Sequence, residues 1–244
     1  MADGCRHLKT DKGQGMGLFG GLKERIRKWK LAGRDPAAVF SDYYRSNKWG
    51  DEESRSGKGS NLEATAELRK TLPAFVAELD VNSFLDLPCG DYFWMARTDL
   101  GVARYTGGDI VPDLIEANRA AYAGNGVDFA VIDLIKGPLP QHDLVFVRDC
   151  LVHLSTEHVK SALANVKASG SDWLLTTTYP GIGTNEEIST GQWRAIDLEA
   201  PPFNLPAPVK LLEEGQDHVK GQLPGKMLGL WKGADIPHFE RAES

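Results

Sequence analysis

Residues 84–91, Phe-Leu-Asp-Leu-Pro-Cys-Gly-Asp, end an apolar run in one carboxylate, Asp86, follow it with a tight Pro88-Cys89-Gly90 turn, and add a second carboxylate, Asp91. Nineteen residues beyond Gly90 stands Asp109, after the strand-like run Tyr105-Thr106-Gly107-Gly108. A glycine lets backbone approach a ligand closely, and an ionised carboxylate has two oxygens with which to accept both hydroxyls of a ribose. Strand, glycine turn, helix, strand and acid at this spacing describe a nucleotide-type cofactor site on a doubly wound α/β sheet. A helix N-cap ahead of Pro112 is the plainer role for Asp109. A second group of reactive side chains, Arg148, Asp149 and His153, follows the apolar run Leu-Val-Phe-Val at 144–147. Ligands of open α/β sheets bind at the carboxyl ends of strands, so these charges should face a substrate.

The elements that must position these residues alternate. Strands are expected at 83–87, 104–108, 128–132, 143–148 and 172–178, with helices at about 91–97, 112–123 and 156–168 between them. Pro112 suits a first helical turn, Ser155 an N-cap and Gly170 a helix stop. Such alternation implies a parallel sheet with right-handed crossovers. Ser60 and Glu63 form a capping box that should open a helix running to about Thr71, with Pro73 restarting it. After residue 179 the pattern changes: 180–208 is rich in Gly, Asn, Trp and Pro, and two strand-like runs, 209–213 and 226–232, suit a hairpin at the sheet edge. The expected organisation is a basic tail and helix (1–35), a lid and helical segment (36–82), and an α/β domain (83–244) carrying a substrate cap at about 180–208.

At 244 residues with 41% apolar and 25% charged residues, the chain has the composition of an ordinary globular protein. The net charge of −6 is unevenly distributed: residues 1–35 carry nine Lys/Arg against four Asp/Glu, leaving −11 on the rest. An acidic body argues against long nucleic acid as a partner. Leu18, Phe19, Leu22, Ile26 and Trp29 lie near helical spacing among basic residues, which suits packing on the body, with contact to anionic lipid as the alternative. The N-terminus lacks the order of a secretory signal and the three cysteines show no framework, so a cytoplasmic location is expected. No His/Cys/carboxylate cluster has ligand spacing, and no metal is expected.

Taken in order, these segments resemble the class I S-adenosylmethionine (SAM)-dependent methyltransferase family. Leu85-Asp86-Leu87-Pro88-Cys89-Gly90-Asp91 resembles its first motif and Gly108-Asp109-Ile110 its second. Ile132-Asp133-Leu134 resembles the third, and Asp143-Leu144-Val145-Phe146 with Leu151-Val152-His153-Leu154 the fourth. The likeness covers roughly residues 60–179. Pro88 replaces the usual first glycine of the turn and Tyr92 the last. With Trp49-Gly50, Ser56-Gly57-Lys58-Gly59-Ser60 and Arg148-Asp149-Cys150-Leu151, the set resembles a little-characterised, mostly bacterial subgroup, some of it linked to surface-glycan tailoring. The resemblance implies a Rossmann-like seven-stranded sheet, mostly parallel with an antiparallel last strand, and SAM as cofactor with S-adenosylhomocysteine (SAH) as product.

It also implies roles. Gly90 and its neighbours Pro88 and Cys89 would receive the amino acid end of SAM, with Asp86 or Asp91 answering the ammonium. Asp109, beside Gly108, would take the ribose, and Asp133 the adenine amino group between the apolar walls Ile110 and Leu134. Trp49 and Ser56, with Tyr43, Tyr44 and Arg55, would form a mobile lid; a flexible linker is the alternative. A hydroxyl nucleophile needs its proton removed, which makes Asp149 or His153 a candidate general base and Arg148 an anchor for an anionic substrate. A structural ion pair and a structural histidine are the competing readings. Tyr179, Asn185, Trp193 and Arg194 should form the acceptor pocket, unless they are only a loop core. The acceptor is expected to be a small molecule or glycan, methylated on oxygen. Rival functions are a non-catalytic SAM-fold binding protein and a nicotinamide oxidoreductase; the latter would want Gly-x-Gly-x-x-Gly, where this loop has one glycine and an added negative charge. A base-directed methyltransferase would want Asn/Asp-Pro-Pro-Tyr/Phe, which is absent. Gly57-Lys58-Gly59-Ser60 lacks the order and the preceding strand of a P-loop.

Overall fold

The computed structural model describes residues 30–214 and 225–240. Seven strands form one sheet in the order β3-β2-β1-β4-β5-β7-β6. They are β1 (Ser83–Asp86), β2 (Arg104–Asp109), β3 (Val127–Val131), β4 (Leu144–Val147), β5 (Trp173–Thr178), β6 (Lys210–Glu213) and β7 (Met227–Lys232). β1 to β5 pair in parallel, and β7 runs antiparallel between β5 and β6. This is the Rossmann-like seven-stranded sheet that the resemblance implied, with the parallel alternation and the edge hairpin expected from the sequence. The chain runs β1, β2, β3 outward in one direction and then returns to place β4 on the other side of β1. That reversal opens a crevice at the carboxyl ends of β1 and β4.

Both faces of the sheet are covered, so neighbouring strand residues belong to different cores. Phe84, Phe146, Leu175 and Leu228 pack with Leu68, Leu72, Phe75 and Val76 of helix α2 (Ala66–Glu78) and Leu114 and Ile115 of α3 (Pro112–Tyr122). On the other face Leu85, Val145, Leu174 and Trp231 meet Val159, Ala162, Leu163 and Val166 of α4 (Thr156–Ala168). The irregular segment after β5 contributes Ile196, Leu198, Phe203 and Leu205 to that second core, so it is packed structure without regular elements.

Three local expectations need correction. The helix expected at 91–97 is a single 3₁₀ turn, Met95–Arg97, because Tyr92 sits at φ +57° and turns the chain out of helical geometry. The Ser60/Glu63 capping box does not open a helix. The Asn61 side chain instead accepts from Ala64 N at 2.8 Å and Thr65 Oγ1 donates to Asn61 O at 2.7 Å, so α2 starts at Ala66. Pro73 lies within α2 rather than restarting it; burial of the Leu68/Leu72/Phe75/Val76 stripe outweighs the one backbone bond the proline removes. A helix not anticipated, α1 (Pro36–Arg45), is capped by Asp35, whose side chain accepts from Ala38 N, with Pro36 in its first turn. The amphipathic segment at 18–29 lies outside the described residues. Among those described, no helix is long and apolar enough to cross a membrane.

One buried polar tie links α4 to the edge of the crevice. Asn165 donates from Nδ2 to Leu134 O at 3.0 Å and Ile135 O at 2.7 Å, holding the turn after β3. Asn165→Ala removes both bonds and leaves buried carbonyls, which should cost about 2–3 kcal/mol in denaturant unfolding.

Candidate functional site

The crevice is a cavity of about 440 Å³. Its β1–β3 half is built on carboxylates and tight backbone. The Leu87 amide donates to Phe146 O and the Cys89 amide to Gly108 O, fixing the turn between β4 and β2. Gly90, at φ +53°, completes the turn, and its carbonyl accepts from Asn118 Nδ2 of α3 at 2.7 Å. Asp86 at the end of β1 is buried and accepts a 2.5 Å bond from Tyr105 Oη. Burial pushes its carboxyl up to about 7, against the opposing pull of Tyr105 and Arg148. Burial likewise raises Asp109, at the tip of β2, to about 6, although the Val111, Gly90 and Ile110 amides favour its ionised form. Ile110, Leu134 and Asp133 complete this wall. Asp133 Oδ1 accepts from the Ile135 and Lys136 amides, so the residue also shapes its own turn. Gly108 lies behind the wall, where a Cβ would stand 2.8 Å from Leu87.

Asp91 has a different place from the one expected. It lies outside the cavity wall and clamps the segment above it: its carboxylate accepts from Ser54 Oγ at 3.0 Å, Arg55 N at 2.8 Å and Ser56 Oγ at 3.2 Å. Ser56 Oγ in turn accepts from the Asp91 amide at 2.9 Å. This clamp seats residues 54–60 on the turn so closely that a Cβ on Gly90 would lie 2.2 Å from Ser56 Oγ. Tyr44, Trp49, Arg55 and Ser56 face the cavity, whereas Tyr43 is buried beside it and bonds Gly191 O. An ammonium in this half would meet Asp86, because the Asp91 carboxylate is already engaged.

The β4–β5–β7 half is organised by a buried ion cluster. Arg148 pairs through Nε with Glu214 at 3.0 Å and through Nη1 with Asp149 at 3.2 Å, and donates from Nη2 to Gly59 O at 2.9 Å. Lys226 bridges Asp149 at 2.6 Å and Glu214 at 2.8 Å. Burial alone would raise the Asp149 carboxyl, but Lys226 and Arg148 overcome it and hold the group at about 2. Two expectations therefore change. A carboxylate so stabilised is a poor proton acceptor, and Arg148 already has anionic partners of its own. His153 is half-buried in the wall, with Nδ1 2.8 Å from Gln192 O. A carbonyl can only accept, so Nδ1 carries a hydrogen in this contact.

Tyr179 and Trp193 also line this half. Asn185 and Arg194 do not. Asn185 bonds Asp197 and Pro201, and Arg194 donates from Nη1 to Leu154 O, so both brace the packed segment instead. Sequence reasoning missed Lys226 and Glu214, which lie 77 and 66 positions from their partners, and also Trp94, Phe40 and Asn118. No local spacing signals them. The only trace of Lys226 is its place just before a strand that must begin at the ligand-binding edge of the sheet.

No protein-family model matches the chain, and no curated protein matches it. Solved structures do. Magnesium protoporphyrin IX methyltransferase (ChlM) of Synechocystis PCC 6803, determined with bound SAM, aligns with a TM-score of 0.52 and 16% identity over 82% of this chain and 98% of that one. The methyltransferase domain of the bacterial protein CtHen1-C aligns with a TM-score of 0.51 and 13% identity over 70% of this chain and 98% of its own. What this chain shares with them is the fold, a seven-stranded Rossmann-like methyltransferase sheet.

Proposed function

We propose that the chain is a SAM-dependent methyltransferase that transfers a methyl group to an oxygen of a small molecule or glycan. The observation that carries this reading is the cavity at the strand-order reversal, whose wall contains Asp86, the Gly90 turn and Asp109 together. The donor set fits the cofactor. Two buried carboxylates suit an ammonium and a ribose diol, Ile110 and Leu134 offer apolar faces for adenine, and the turn presents no cation for a pyrophosphate. Bound there, SAM would supply an electrophilic methyl group for transfer to the acceptor oxygen, with SAH as the product.

The protein's own contribution is placement. In-line displacement gains most from alignment of the reacting groups in a site closed to water. The Asp91 clamp and the Arg148–Gly59 bond hold residues 54–60 over the cavity as a lid, and His153 in the wall is the candidate general base. Asp149 fixes Arg148 and Lys226 rather than moving a proton.

SAM and SAH should raise the melting temperature of the protein while NAD(P) leaves it unchanged; stabilisation by NAD(P) alone would end this reading. Asp109→Ala should weaken SAH binding by about ten- to hundredfold in calorimetry, the loss expected for hydrogen bonds to a charged group.

The raised carboxyls also fix a pH dependence. Ligand ammonium and hydroxyl groups favour ionised Asp86 and Asp109, so SAH affinity should rise with pH and level off above about 7, with proton release measurable by calorimetry near pH 6. The stability of the unliganded protein should move oppositely. Its folded state retains protons that the unfolded chain has lost, so stability falls as pH rises from about 4 to about 7. Asp86→Asn should remove the upper part of both profiles.

A further inference from the structure

We infer that Tyr105 is a positioning residue for the cofactor, its buried phenol holding the Asp86 carboxylate in place for the ammonium of SAM. This rests on the methyltransferase reading and adds to the same site a residue that does not itself line the cavity.

The placement follows from strand register. Phe84 of β1 pairs with Tyr105 of β2, and Asp86 pairs with Gly107. Side chains two apart along a strand share a face, so Tyr105 and Asp86 project from the same side of neighbouring strands. Gly107 puts no side chain between them; a Cβ there would stand 2.5 Å from the Phe129 ring. The Tyr105 ring is fixed by other rings. It stacks on Phe84 with centroids 5.8 Å apart and planes at 11°, and packs against Tyr92 at 5.1 Å and Phe129 at 6.4 Å. A ring held in this way has little freedom in where it puts its hydroxyl, and the hydroxyl meets Asp86 Oδ2 at 2.5 Å. Occupying Oδ2 also sets which oxygen a ligand in the cavity would meet.

The bond runs in one direction. Burial, with the charge of Asp86 beside it, pushes the Tyr105 phenol well above its ordinary range, so the phenol keeps its proton and donates. A bond donated to a carboxylate favours the ionised form, which an ammonium needs, and so opposes the effect of burial on Asp86. The neighbouring groups do not replace it. Arg148 at the end of β4 supports ionisation through its charge, and Asp109 at the tip of β2 opposes it. Cys89 and Tyr92 of the turn are kept neutral by burial. Asp109 has donors of its own in the Val111, Gly90 and Ile110 amides, so its ionisation does not depend on the Tyr105 hydroxyl. Phenylalanine at 105 would keep the ring packing and lose only the bond to Asp86.

The test compares SAH binding by calorimetry from about pH 6 to about pH 8.5 in four full-length proteins: wild type, Tyr105→Phe, Asp86→Asn and the double variant. The ratio of wild-type to variant affinity at each pH cancels the ionisation of the ligand and of Asp109. Tyr105→Phe should weaken SAH by about tenfold at the low end and by no more than about threefold at the high end, because Asp86 without its donor ionises only at higher pH. In the Asp86→Asn background the same change should alter affinity by less than about twofold throughout. A loss that is flat across pH, no loss, or an equal loss in the Asp86→Asn background overturns the role. If Tyr105→Phe does not fold, NMR of protein isotopically labelled at tyrosine Cζ decides instead. One tyrosine signal should titrate with Asp86 near about pH 7 and lose that step in Asp86→Asn; absence of such a signal overturns the role. Failure of the wild type to bind SAH sinks the methyltransferase reading and this role together, whereas binding with any of the contrary outcomes sinks the role of Tyr105 alone.

Discussion

The buried guanidinium of Arg148 is the interaction on which the site depends. Its three nitrogens reach Glu214 just after β6, Asp149 after β4 and the Gly59 carbonyl, and it lies 5.5 Å from the Trp94 ring centroid. A cation with its side chain only 7% exposed survives in the folded state because each direction is matched by an acceptor. Arginine suits this place better than lysine: a planar fork reaches three elements at once, where an ammonium would be a single point of charge. Gly59, the β4 end and the β6–β7 edge thus form one wall, although they are far apart in the chain.

The cavity shows how one force gives opposite outcomes. Asp86, Asp109 and Asp149 all lose water on folding, and burial pushes each carboxyl upward. Asp86 and Asp109 have mainly neutral donors close by and stay raised, to about 7 and about 6, whereas two cations in contact hold Asp149 at about 2. The first pair is therefore poised to gain from a ligand that brings donors or positive charge. The third is already satisfied by protein. This contrast divides the cavity into a half that asks for a polar, cationic guest and a half that does not.

The segment above the glycine turn has its own anchor. Asp91, one residue beyond the turn, grips Ser54, Arg55 and Ser56, and the absent side chain of Gly90 makes room for the gripped segment. Turn and segment are two sides of one contact. A side chain at Gly90 would face strain at positive φ and a clash with Ser56, so the glycine is required by packing within the protein itself.

The alternation of strands and helices, the β2-tip acid and the glycine turn could be read from the chain because they are local. They rest on apolar runs, on punctuation by Pro, Gly and Asp, and on a spacing that one β-α-β unit imposes. The ends of α3 and α4 were legible for the same reason, whereas the capping-box signal at Ser60 was overridden by the Asn61 turn. What the sequence by itself determined was where carboxylates and turns fall along the sheet. The tertiary structure decided which carboxylate faces the cavity and which meets protein, since Asp86 and Asp91 are five residues apart and only packing turns one into the cavity and the other onto residues 54–56. It likewise moved Asn185 and Arg194 into supporting roles and brought in Lys226 and Glu214. Electrostatic state depends on neighbours in space, and a one-dimensional spacing rule does not carry that information.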